Sequence, residues 1–177
     1  MELKGSKTEA NLWAAFAGES QARNKYTYFA SKAKKEGFVQ IANIFQETAD
    51  NEKEHAKIWY KLVEGVADTK ENLKRAAAGE NEEHTSMYPE FAKVAREEGF
   101  DKIAKLFEAV AKIEAEHEKR YKILLQNIED GVVFKKNEKI LWQCLNCGYV
   151  FEADAAPDTC PVCDHPQSYF QKLVANY

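Results

Sequence analysis

Long apolar runs are missing from this 177-residue chain. No stretch approaches the roughly 20 consecutive apolar residues that cross a bilayer, and the opening MELKGSKTEA lacks the apolar core of a secretory leader. A positive excess is missing too. Lys and Arg number 25 against 29 Asp and Glu, a net charge of −4, and no basic patch carries interleaved aromatics. Membrane and nucleic acid are therefore not expected partners, and the cytoplasm is the expected location. No Gly-x-Gly-x-x-Gly occurs, so no NAD(P)H site is expected. Cysteine is absent before position 144. The hydrophobic content of 45% is ordinary, and the charged content of 31% suits long helices with solvated faces. The length allows one mid-sized domain and a small appendage.

Residues 6–130 hold four segments with apolar residues at helical spacing, at about Thr8–Glu36, Val39–Glu64, Glu71–Glu98 and Asp101–Glu129. Their length, on the order of 25 residues each, predicts a four-helix bundle. Gly37 and Gly99 each sit between a Glu and a Phe, as helix-ending glycines do, and imply two tight turns between antiparallel helices. Pro89 falls inside the third helix and predicts a kink or local irregularity there. The stretch EGVADTKEN reads as a crossover between the second and third helices.

The helical region repeats. Asn11-Leu12 and Ala17-Gly18-Glu19 match Asn72-Leu73 and Ala78-Gly79-Glu80 at an offset of 61. Glu36-Gly37-Phe38, Ile41-Ala42, Phe45, Glu52, Glu54 and His55 match Glu98-Gly99-Phe100, Ile103-Ala104, Phe107, Glu114, Glu116 and His117 at 62. The pattern is that of a duplicated helical hairpin. The extra residue must be absorbed inside the third helix, and a π-helical turn near Glu83–Tyr88 is the expected place.

Each half carries a Glu-x-x-His motif, Glu52/His55 and Glu114/His117, whose members share a helix face. Counted from the glycine turns, Glu19 lies 18 residues before Gly37, with Glu52 and His55 lying 15 and 18 after it. Glu80 and Glu83 lie 19 and 16 before Gly99, with Glu114 and His117 lying 15 and 18 after it. At about 1.5 Å per residue, antiparallel helices bring all seven groups to one level. Five carboxylates buried there would cost several kcal/mol each, or bind protons, unless cations neutralised them. The oxygen-rich, imidazole-containing set suits iron or manganese. Glu54, Glu82 and Glu116 read as solvated, and His84 as a surface residue or a neighbour of the ligands rather than a ligand.

From Val132 the composition changes to short β-type runs and turn residues. Cys144-Leu-Asn-Cys147 and Cys160-Pro-Val-Cys163 stand 12 residues apart, the spacing of a four-thiolate cage. The residues alone leave zinc and iron open. The expected domains are 1–131 (with repeats 11–64 and 72–127), a linker at 132–139, and 140–177.

The glutamates of the first and third helices, the paired Glu-x-x-His motifs and the C-terminal cysteines together resemble the rubrerythrins, over essentially the whole chain. The resemblance implies a ferritin-like four-helix bundle followed by a small β-rich rubredoxin-like domain. It implies Glu52 and Glu114 as bridging carboxylates of a di-iron centre, Glu19 and Glu80 as terminal ligands, and His55 and His117 as imidazole ligands. Glu83 resembles the family's redox-dependent ligand, which exchanges with His55. Cys144, Cys147, Cys160 and Cys163 would hold one further iron. Asp164 stands where rubredoxins carry Gly, a position at which Asp tolerates a left-handed backbone. His165 is expected to be exposed and not a fifth ligand. Tyr26 and Tyr88, about two turns beyond Glu19 and Glu80, either hydrogen-bond ligand carboxylates or pack in the core.

The implied activity is that of a peroxidase reducing hydrogen peroxide to water in oxidative-stress defence. Electrons would come from an external donor, a rubredoxin or an NAD(P)H reductase, through the four-thiolate iron. The chain is expected to form a homodimer, with exchange of helical hairpins left open. The alternative is a ferroxidase or iron-handling protein of the ferritin type.

Overall fold

The structure, a computed structural model, describes residues 2–175. The last two residues of the expected C-terminal domain lie outside the described residues. The chain divides at Ala67/Asp68 into two compact units.

The first unit is a helical hairpin. Helix α1 (Lys7–Lys35) starts where the Ser6 hydroxyl accepts the Glu9 N–H at 3.1 Å, while the Glu9 carboxylate accepts the Gly5 N–H at 2.6 Å. Donors that the first turn would leave unpaired are thereby used. Lys32, Lys34 and Lys35 lie in its last turn, the favourable end of the helix dipole for cations. Gly37 then takes φ +87, and the Phe38 N–H reaches back to the Ala33 carbonyl at 2.9 Å. That six-to-one bond closes the helix and reverses the chain into α2 (Val39–Val63). Ala30, Ala33, Ala42, Ala49 and Ala56 are the buried residues of the hairpin, so small side chains form the seam.

The second unit begins with α3 (Thr69–Glu82), capped by the Asp68 carboxylate on the Glu71 N–H at 2.9 Å. A π-helix at Glu83–Met87 comes directly after it, then α4 (Tyr88–Glu97). The insertion expected from the change of offset is therefore present where the repeat demands it. The Tyr88 N–H donates to the Glu83 carbonyl, five residues back. Pro89 sits in the first turn of α4, where its missing N–H and its ring conflict least with the preceding turn. Gly99 at φ +84 and the Phe100 N–H on the Ala95 carbonyl at 2.7 Å repeat the first hairpin turn, and α5 (Asp101–Glu129) runs back. The duplication extends to ring packing. Tyr26, Phe29 and Phe45 form a trio with centroids 5.6–6.3 Å apart, and Tyr88, Phe91 and Phe107 form another at 5.6–6.4 Å.

The unit ends in a three-stranded antiparallel sheet of order β2-β1-β3, with β1 Lys135–Cys144, β2 Val150–Ala155 and β3 Phe170–Lys172. Strand β1 begins inside the segment expected as a linker. Its polar start, Lys135–Lys139, pairs irregularly, since register shifts between Lys135 and Ile140. A charged run paired across a bulge carries no alternation that a sequence reading would detect. The core here is small: Trp142, Cys144, Ala156, Cys160 and Phe170. The Trp142 indole N–H is satisfied by the Ala153 carbonyl at 3.0 Å. Among the described residues, no helix is long and apolar enough to cross a membrane.

A Cβ built at Gly37 or Gly99 meets nothing within 4 Å, so the glycine requirement is backbone conformation alone. Gly99→Ala should destabilise the protein by about 1 kcal/mol and Gly99→Asn by less, read as shifts in the urea midpoint. Equal losses would show that the left-handed backbone is not the cause.

Candidate metal centres

Each unit carries one carboxylate–imidazole triad. In the first, α1 supplies Glu19 and α2 supplies Glu52 and His55. His55 Nδ1 lies 2.8 Å from Glu52 Oε2 and 3.9 Å from Glu19 Oε2. In the second, α3 supplies Glu80 and α5 supplies Glu114 and His117, at 2.6 Å and 3.7 Å. The ligand atoms of each triad lie within 4.8 Å of one another. The three-residue spacing sets the short distance, and the antiparallel hairpin sets the longer one.

The triads are crowded with negative charge. The Glu19 carboxyl is pushed above its ordinary value, chiefly by the hydrogen bond it shares with Glu52 and then by burial. Glu80 is raised by burial first and then by the Glu114 charge. A cation between the carboxylates would relieve both pressures. The donor set of each triad therefore fits a divalent first-row metal with mixed oxygen and imidazole ligation.

The remaining expected site residues fall nearby or elsewhere. Glu83 occupies the first position of the π-helix, half-buried, and its charge adds to the upward push on Glu80. It is not a member of the second triad. The Tyr88 hydroxyl is raised by burial first and then by Glu83, Glu114 and Glu80. Tyr26 and Tyr88 both pack in the aromatic trios, and no hydrogen bond from either hydroxyl to a ligand carboxylate is formed among the described residues. Glu54, Glu82 and Glu116 are exposed, as expected, with Glu54 paired to Lys57 at 3.1 Å.

Sequence reading missed Glu118. It is buried at 8% exposure, and its carboxyl is held down at about 2, first by Lys122, then by His84 and Asn81. The signal was available: the repeat places Ala56, a buried seam residue, opposite Glu118. An acid replacing a buried alanine in a matched register needs a partner.

The four cysteines come together as expected. Cys144 Sγ and Cys163 Sγ lie 3.7 Å apart, as do Cys147 and Cys160. A tetrahedron with that edge has a centre about 2.3 Å from each sulfur, a metal–thiolate bond length. Two knuckles with one hydrogen-bond pattern build it. The Cys144 N–H donates to the Tyr149 carbonyl and the Gly148 N–H to the Cys144 carbonyl, both at 2.9 Å. The Cys160 N–H donates to the His165 carbonyl at 2.8 Å and the Asp164 N–H to the Cys160 carbonyl at 3.0 Å. Gly148 has φ +79 and Asp164 φ +58, so Asp does take the left-handed conformation that Gly takes in the other knuckle. His165 is half-buried rather than exposed. Its Nδ1 lies 2.9 Å from the Cys163 carbonyl oxygen and its ring packs edge-on against Tyr169 at 4.4 Å, which covers it.

The thiols divide their protons unevenly. The Tyr149 backbone draws Cys147 down, but burial and the other three thiols push it up to about 12. Burial works against Cys163, yet the His165 backbone and the neighbouring thiols bring it down to about 6. A cation in the cage would remove that competition by taking all four as thiolates.

A helical protein with repeated carboxylate–imidazole triads, followed by a four-thiolate cage, is a non-haem iron protein with a ferritin-like part and a rubredoxin-like part. Residues 10–125 match the family model described as Rubrerythrin, and residues 142–171 match that described as Rubrerythrin, rubredoxin-like domain. The chain is 55% identical over 188 residues to the Rubrerythrin of Porphyromonas gingivalis strain W83, covering 99% of this chain and 94% of the relative. It is 54% identical over 192 residues to Rubrerythrin-1 of Clostridium acetobutylicum, covering 99% and 98%. It is 50% identical over 188 residues to the Rubrerythrin of Nitratidesulfovibrio vulgaris strain Hildenborough, covering 99% and 98%. The chain belongs to the rubrerythrin family. The cysteine cage is accordingly a site for one iron, and the triads supply the groups that hold a di-iron site.

Two measurements bear on these sites. Cys160→Ala should abolish the ferric-thiolate absorbance and lower bound iron by one per chain, while iron held by the carboxylates stays; a full-strength band would contradict the cage. Glu118 has a depressed folded value, so its contribution is present above the ordinary carboxylate range and lost as pH falls toward about 2. The gap in melting temperature between wild type and Glu118→Gln should narrow from pH 6 to pH 2. A gap independent of pH would mean that the charge is not what stabilises.

Proposed function

We propose that this chain is a hydrogen peroxide reductase, converting H2O2, two electrons and two protons to two waters in cytoplasmic defence against oxidative stress. One observation carries the reading. A single chain combines two matched carboxylate–imidazole triads with a four-thiolate cage, a two-electron site and a one-electron site. The triads are read as the halves of one carboxylate-bridged di-iron centre. Glu52 and Glu114 would serve as the bridging carboxylates, Glu19 and Glu80 as terminal ligands, and His55 and His117 as the imidazole ligands. When bound, the iron pair supplies two electrons together and Lewis acidity at the O–O bond.

Glu83 is the additional carboxylate. It stands at the first position of the π-turn and would be the ligand that exchanges with His55 when the redox state changes. The four cysteines would hold the iron that passes electrons singly from an external donor, a rubredoxin or an NAD(P)H reductase. In this reading 1–131 is the di-iron part and 140–177 the cysteine part, with β1 already begun within 132–139.

The working form is a homodimer. Helix α5 continues 12 residues past His117, placing the end of the helix roughly 18 Å from the ligand. On that length the proposed route of electron transfer runs between subunits. The exposed apolar residues Ile41, Ile44, Ile58, Leu62, Ile103, Leu106 and Ile113 give each hairpin a face to pair with another hairpin, in the same chain or by exchange. The four-cysteine cage, an electron-transfer device, weighs against the ferroxidase reading.

Anaerobic stopped-flow mixing of the reduced holoprotein with peroxide should return the ferric-thiolate colour at two electrons per peroxide. Oxidation by O2 but not by peroxide would select the ferroxidase instead. Glu83→Ala should slow peroxide turnover by about tenfold or more. A monomer with undiminished turnover would refute transfer between subunits.

A further inference from the structure

His84 and Glu118 belong to neither triad, yet each comes directly after a residue assigned to the metal: Glu83 in one case, His117 in the other. Glu118 is the buried charged residue among those described. A buried carboxylate is costly unless its oxygens are satisfied, and here both are. His84 Nε2 lies 2.7 Å from Oε2. Asn81 Nδ2 donates to Oε1 at 3.0 Å, and Lys122 Nζ lies 2.5 Å from the same oxygen. Asn81 belongs to the last turn of α3 and His84 to the π-helix, so the two bonds to Glu118 straddle the point at which the helix changes pitch.

The first half of the repeat has neither feature. Helix α1 is regular throughout, and the positions matching Asn81, Glu118 and Lys122 are Ser20, Ala56 and Tyr60. His84 falls opposite Ala22 or Arg23, depending on which side of the insertion the register is counted. The bonded cluster and the π-turn occur together and are absent together. A π-turn is rare and occurs chiefly at functional sites. Left to itself, the widened turn has no reason to hold one position, and Glu83 is its first residue. The bonds to α5 anchor it to the helix that also carries Glu114 and His117.

We propose that His84 and Glu118 form a positioning clamp, which ties the π-turn to α5 and so sets where Glu83 presents its carboxylate to the metal. The clamp touches no substrate and acts through Glu83. It rests on the reading of Glu83 as a ligand.

The test measures iron release from the reduced, full-length holoprotein to an Fe(II) chelator. Iron remaining in the cysteine cage is tracked separately by its thiolate absorbance on reoxidation. His84→Ala and Glu118→Gln should each speed release from the di-iron centre by about tenfold, the scale of lost support for a metal ligand. Glu83→Ala should do the same. Combining Glu83→Ala with either clamp variant should add nothing, because the clamp then has no ligand left to position. His84→Gln, which keeps a donor near the ring nitrogen, should restore most of the wild-type rate. Full multiplication of the two effects would overturn the clamp and leave Glu118 a structural residue. Wild-type release in the clamp variants, with fast release in Glu83→Ala, would overturn the clamp alone. Wild-type release in Glu83→Ala would overturn the ligand reading and the clamp with it.

Discussion

Charge crowding inside each helical hairpin is the constraint on which most of this molecule depends. Glu19 is driven above its ordinary value by the hydrogen bond it shares with Glu52 and then by burial, and Glu80 by burial and then by the Glu114 charge. Helices built only for stability do not gather acids in this way, because repulsion and desolvation both oppose it. A divalent cation reverses the sign of that repulsion. The turn geometry then matters for a chemical reason. The left-handed glycines set the register of α1 on α2 and of α4 on α5, and that register decides whether an acid on one helix meets a Glu-x-x-His pair on the next.

Duplication made two such hairpins, and the differences between them carry the asymmetry of the chemistry. The aromatic trios and the Glu-Gly-Phe turns recur in both halves, and the alanine seam recurs except where Glu118 replaces Ala56. The π-turn, Glu83, His84 and Glu118 exist in one half only. A single inserted residue rotates the two parts of a helix by about 100° relative to each other around the axis, unless it is absorbed locally. Absorbing it in a π-turn kept Glu80 and Tyr88 at positions equivalent to Glu19 and Tyr26 while adding a further carboxylate between them.

The small C-terminal sheet depends on its cysteines in another sense. Two of its five buried core residues, Cys144 and Cys160, are themselves in the cage. Few apolar side chains remain to hold the fold, so metal binding and folding are linked in it. The matching knuckles show how little sequence this needs: a Cys-x-x-Cys and one residue able to adopt positive φ.

Much of this was readable from residue order alone. Helical periodicity, the Glu-Gly-Phe turns, the paired Glu-x-x-His motifs and the cysteine spacing are local, and each maps onto one geometry. Even the π-turn was visible, because a repeat converts an insertion into a change of offset. Other features were not local. The strand that starts at Lys135 is a charged run paired through a bulge, which periodicity does not register. His165 is covered by a ring four residues further along the chain. Glu118 looked like one more acid on a charged helix. Composition and spacing determined which residues can hold metal and roughly where along the chain, and left the metal itself to the family relation. Only the tertiary structure decided that Glu118 lies buried against His84, because burial depends on which neighbouring helix face arrives opposite, a fact that no single helix's sequence contains.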